Sequence, residues 1–94
     1  VQAVKIWKVL PGEKPEQIEV SNPVEAARQI IAASMDFTKV RYLGKLRTMA
    51  VDDEGMCKNL PVNDVATKAY LANCYEGTLW SIHGPAVIFE GVLR

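Results

Sequence analysis

The sequence is poor in the residues that carry most chemistry: it has one histidine and two cysteines in 94 residues. A secreted chain this small usually carries more cysteine, at framework-like spacing. Cys57 and Cys74 are therefore expected as reduced, buried thiols of a cytoplasmic protein. No apolar run approaches the roughly 20 residues of a membrane span. The first ten residues are interrupted by Lys5 and Lys8 and lack a small-residue cleavage site, so no signal peptide is expected. Neither sign of charge is in excess, with 11 Lys plus Arg against 11 Asp plus Glu. That balance excludes a supercharged nucleic-acid-binding arm and a strongly acidic DNA mimic. A Gly-rich phosphate loop is missing too, because Gly84-Pro85 precedes a strand-like run rather than a helix.

What remains is ordinary globular composition, 49% apolar and 23% charged, in a length that fits a single domain over residues 1–94. Area scaling gives a folded surface of roughly 5,400 Å² against roughly 15,000 Å² unfolded, so about 64% is buried. That suffices for one core without metals or disulfides and leaves little volume for a deep active site.

The periodicity predicts a mostly antiparallel α+β fold in the order ββα-ββ-α-ββ, with two helices on one face of the sheet. Val4–Leu10 and Glu16–Val20 read as a hairpin around the Pro11-Gly12-Glu13-Lys14-Pro15 turn, with Ile18 and Val20 inward. Asn22 caps a helix over about 23–35, with Pro23 at its first position and Glu25 paired to Arg28. Val24, Ala27, Ile30, Ile31 and Met35 form its apolar stripe. Residues 37–43 alternate with period two as one strand, Gly44 breaks it, and 45–51 form the next. Asp52–Gly55 is a turn with Gly55 at a positive-φ position, and 56–58 starts a short return strand. Asn63 caps a second helix over about 64–74. Thr78–Ile82 and Ala86–Leu93 read as a closing hairpin that returns to the sheet centre.

Several pieces of the chain resemble a family of small proteins known only as a domain of unknown function, found largely in phages and other mobile elements. They are Val9-Leu10-Pro11-Gly12-Glu13-Lys14-Pro15 with Ile18 following, Met49-Ala50-Val51-Asp52-Asp53-Glu54-Gly55, Leu60-Pro61-Val62-Asn63 and Ile82-His83-Gly84-Pro85-Ala86-Val87-Ile88. The resemblance spans most of the chain. It implies a small accessory protein acting in the cytoplasm of a bacterial host, where such proteins often regulate or inhibit host systems. It supplies no catalytic residues.

The candidate chemistry is thin. His83 lies before a tight turn that would expose its imidazole as acid, base or ligand, but the sequence offers no orienting carboxylate. Cys57, Cys74 and His83 lack zinc-ligand spacing, and Asp52-Asp53-Glu54 lacks the spacing of a calcium loop, so no metal or cofactor is expected. The charge distribution is more informative. Residues 1–50 carry eight basic and five acidic side chains, and residues 51–94 carry three and six. Lys39, Arg41, Lys45 and Arg47 fall within nine positions. If Gly44 joins their strands, all four share the sheet face away from the helices. A second candidate surface is the end formed by Leu60–Asn63 and His83–Pro85, with Trp80 beside His83 if that tryptophan is exposed. The expectation is a non-enzymatic interaction protein that binds a host protein or complex through Lys39, Arg41, Lys45, Arg47, Asn63, Trp80 and His83. The alternative is a small-ligand or nucleotide-binding module, possibly a homo-oligomer. No membrane partner is expected, and four cations are few for duplex nucleic acid.

Overall fold

The computed structural model describes residues 3–92. Its elements are β1 (Val4–Val9), β2 (Glu16–Val20), α1 (Pro23–Ile31), β3 (Met35–Tyr42), β4 (Lys45–Asp52), α2 (Asp64–Leu71) and β5 (Ala86–Phe89). The five strands form one antiparallel sheet in the order β2-β1-β5-β4-β3. The predicted α+β class holds, and the final strand does return to the sheet centre.

The helices start where their caps dictate. Asn22 Oδ1 accepts the Glu25 N–H at 3.1 Å, with Pro23 at the first helical position. Glu25 pairs with Arg28 as expected, at 3.4 Å. Asn63 Oδ1 accepts the Ala66 N–H at 3.2 Å at the head of α2. α1 stops earlier than its apolar stripe suggested. Ala32 turns left-handed, with φ 57° and its N–H on Arg28 O, which leaves Met35 to open β3. Beyond Leu71 the second helix continues only as turns through Cys74.

The two helices lie on opposite faces of the sheet, not on one. Trp7, Val9, Met49, Val51, Ala86 and Ile88 pack with Ala66 and Ala69 of α2. Ile6, Ala50, Val87 and Phe89 pack with Ala27 and Ile31 of α1, joined by Ile18 and Val20. The cause lies in the two central strands. All four residues of β5 and the last six of β4 are buried, so both faces of these strands must be covered.

The C-terminal hairpin is a single strand. Thr78–Ile82 forms no strand, because β5 already pairs with β1 on one side and β4 on the other. Only His83 makes an isolated bridge, to Val62. The described part of the last strand ends at Phe89, and Leu93 lies outside the described residues. Residues 53–59 are consecutive turns, so the short strand expected at 56–58 is not formed. Cys57 is exposed and Cys74 half-buried, against the expectation of two buried thiols. The Cys74 thiol donates to Tyr70 O at 3.2 Å.

Candidate functional site

The basic residues do not share a face. The hairpin pairs Lys39 with Thr48, Arg41 with Leu46, Val40 with Arg47 and Tyr42 with Lys45. Opposed residues in an antiparallel pair point the same way, so Lys39 and Arg41 take the α1 side. Lys45 and Arg47 take the α2 side. The two-residue turn at Leu43-Gly44, both at positive φ, fixes this register. Arg47 is also buried, at 6% exposure. Its Nε donates to Tyr42 O at 2.9 Å and its Nη1 to Glu90 O at 2.7 Å. Its guanidinium lies over the Trp7 ring, 4.5 Å from the centroid. Tyr42 meets Trp7 edge-on at 5.4 Å, and burial raises the Tyr42 phenol above its ordinary range, partly offset by the Arg47 charge.

The other candidate end does assemble. All four sequence pieces that carry the family resemblance meet there. The Gly84 N–H donates to Pro61 O at 2.8 Å, and Val62 bridges His83. Gly55 lies so close under the His83 carbonyl that a Cβ would collide with it. That contact, and not the expected positive φ, is why glycine stands at 55. Gly84 does need its positive φ, 87°, and lies against Leu60. Asn63 sits beneath these loops at 1% exposure. Its Nδ2 donates to Val9 O at 2.9 Å and to Gly84 O at 3.0 Å, tying the first strand to the last loop. Asn63 therefore organises this end from below, without surface of its own to offer.

Asp52 locks the adjoining turn. Its carboxylate accepts the Glu54 N–H at 2.8 Å and the Lys58 ammonium at 2.7 Å. Burial alone would push this carboxyl up; the two hydrogen bonds and the Lys58 charge outweigh it and hold the group below the ordinary carboxylate range.

Above this framework lies a cleft of about 200 Å³, bordered by Asp36, Asp53, Tyr70, Trp80, Ser81 and His83 among others. His83 is held at both ring nitrogens. Nδ1 is 2.9 Å from Leu60 O and Nε2 is 2.8 Å from Ser81 Oγ. A carbonyl only accepts, so the neutral ring carries its proton on Nδ1 and takes the Ser81 hydroxyl proton at Nε2. The orienting group the sequence did not offer is thus a backbone carbonyl. Burial raises the Tyr70 phenol, helped by neighbouring Cys74 and Asp36.

Trp80 is 55% exposed at the mouth of the cleft. The same loop presents Tyr75 at 93% and Leu79 at 92%, and half-exposed Met56 borders the same cleft as Trp80. Of the predicted site residues, Trp80 and His83 border this cleft, Asn63 lies beneath it, and Lys45 and Arg47 stand together elsewhere on the sheet. Asp36, Tyr70 and Ser81 were missed because they reach the cleft from β3, α2 and the misread 78–82 segment. No three His, Cys, Asp or Glu residues among those described are placed to hold a metal ion. No helix among them is long and apolar enough to cross a membrane. No protein-family model, curated protein or solved structure matches this chain.

Proposed function

We propose that the protein is a small interaction protein that binds a partner protein through the end carrying Trp80, Leu79 and Tyr75. One observation carries this reading: three bulky side chains of a single loop stand in solvent, one of them, Trp80, bordering a cleft, and the fold beneath that cleft is cross-tied. Large aromatic anchors set beside a pocket are what protein interfaces use to concentrate their binding energy. Exposing them to water has no benefit for the isolated chain. The family resemblance supplies the setting, a phage or mobile-element protein that inhibits or regulates a host protein or complex in a bacterial cytoplasm.

The test compares two sets of exposed substitutions in affinity capture from a bacterial lysate, each checked for fold by circular dichroism. Leu79→Ser with Trp80→Ala is expected to abolish capture of a specific protein. Lys39→Glu with Arg41→Glu and Lys45→Glu is expected to leave it intact. Loss in the charge variant alone moves the site to the hairpin, and retention by both variants overturns the reading.

A further inference from the structure

The α2 side of the sheet is open over the start of β1 and the start of β4. Here a trough of about 570 Å³ is bordered by Lys5, Trp7, Gln17, Lys45, Arg47 and Glu90. Its floor holds a chemical imbalance. Arg47 is a buried cation with no carboxylate partner among the described residues. Its partners are two backbone carbonyls and the face of Trp7. Ion pairs among the described residues join Lys8 to Glu16, Arg28 to Glu25 and Lys58 to Asp52, and none includes Arg47, Lys5 or Lys45. A buried charge left without an opposite charge is costly, because carbonyl dipoles replace only part of its lost hydration.

The guanidinium is not sealed in. Nη2 has no hydrogen-bond partner among the described residues, yet no buried side-chain nitrogen or oxygen lacks one. Nη2 therefore reaches solvent, and the trough is where Arg47 meets it. Its orientation is already fixed by Tyr42 O, Glu90 O and the Trp7 ring, so binding through this edge incurs little further ordering. Lys5 and Lys45 project onto the same side of the sheet. Lys5 is two residues from Trp7 on β1, and Lys45 two residues from Arg47 on β4. Against three cations the border holds one carboxylate, Glu90, and a second, Glu19, stands opposite Lys5 on the outer strand β2.

We infer that this trough is an anion site, which takes the phosphate group of a small molecule between the free edge of Arg47 and the ammonium groups of Lys5 and Lys45. A phosphate matches the donors in geometry and charge: a planar fork on one side and two mobile point charges on the other. It supplies the counter-charge Arg47 lacks. The site lies away from the Trp80 cleft and is independent of the interaction reading above.

The test is titration with pyrophosphate and, separately, with inorganic phosphate and adenosine diphosphate, at constant ionic strength set by chloride. Amide chemical shifts and the thermal midpoint are followed together. Saturable shifts centred on Lys5, Trp7, Lys45 and Arg47 are expected, with a midpoint that rises with ligand concentration. Tighter binding of adenosine diphosphate than of pyrophosphate identifies a nucleotide as the source of the phosphate. Equal or weaker binding assigns the bare phosphate group. Arg47→Ala removes a buried anchor and is a poor probe, so the exposed positions are varied. Lys5→Ala and Lys45→Ala should each weaken binding roughly three- to tenfold, and Glu90→Gln should strengthen it. The inference is overturned if no ligand gives a saturable shift by about 10 mM. It is equally overturned if the shifts map elsewhere, or if the lysine variants bind like the parent.

Discussion

At the scale of single residues, the amide of Asn63 satisfies three backbone groups in three segments: the Ala66 N–H, the Val9 carbonyl and the Gly84 carbonyl. Asn63→Ala removes a helix cap and strands two buried carbonyls, so it should destabilise the fold by about 3 kcal/mol in urea denaturation. Asn22→Ala, at an exposed cap with a single bond, should cost about 1 kcal/mol. Asp52 gives the fold an acid limit. Its folded-state carboxyl lies below the ordinary value, so the unfolded chain takes up the proton first as pH falls. The stability it contributes is complete above the ordinary carboxylate range, about pH 4, and is lost as pH drops through the folded value. Asp52→Asn should flatten that limb of a stability–pH profile measured by urea midpoints. The sequence marks Asn63 as a cap, which is local chemistry. Its other two bonds join positions 54 and 21 residues away, and only the closed fold can create them.

At the scale of elements, the hairpin turn breaks its own local rule. Leu43 holds a φ of 53° and is 66% exposed, where asparagine would adopt that backbone with less strain. Leu43→Asn should raise stability by about 1 kcal/mol in thermal or urea unfolding while leaving the sheet register unchanged. Strand positions were legible where apolar and polar residues alternate, as in β1 to β3, and in β4 from its bounding turns. The side each helix takes was harder to read. The evidence for two-sided burial is there in the unbroken Ala86-Val87-Ile88-Phe89 run, but a short apolar run does not announce which helix covers which face. The 78–82 segment misled because Leu79, Trp80 and Ile82 have strand propensity, and propensity carries no information about whether a sheet edge is free. The four-cation patch failed for a related reason. One turn residue more or less would have changed the faces on which Lys45 and Arg47 emerge.

At the scale of the whole molecule, the surface is 6026 Å², above the roughly 5,400 Å² expected for its mass. The outline is elongated, 41 × 28 × 25 Å. One sheet with a short helix on each face leaves parts of the α2 side uncovered, and both the cleft and the trough lie on that side. The sheet also couples the two apolar layers, because β4 and β5 contribute to both. Ile31→Ala, in the layer opposite Trp7, should therefore lower the urea midpoint reported by Trp7 fluorescence. The loss should be about 3 kcal/mol and equal that reported by circular dichroism, in a Trp80→Phe background that leaves one fluorophore. Separate transitions from the two probes would show that the layers unfold independently.

The position of β5 also sets the order in which the molecule can be completed. Before residues 86–89 are available, β1–β2 and β3–β4 are two separate hairpins with four open edges between them. Insertion of this one strand closes two of those edges and creates both apolar layers in the same event. Newly made chains therefore pass through a stage in which the surfaces most prone to mispairing are all exposed together. The topology thus makes the docking of four residues into the gap between two hairpins the step that ends this exposure.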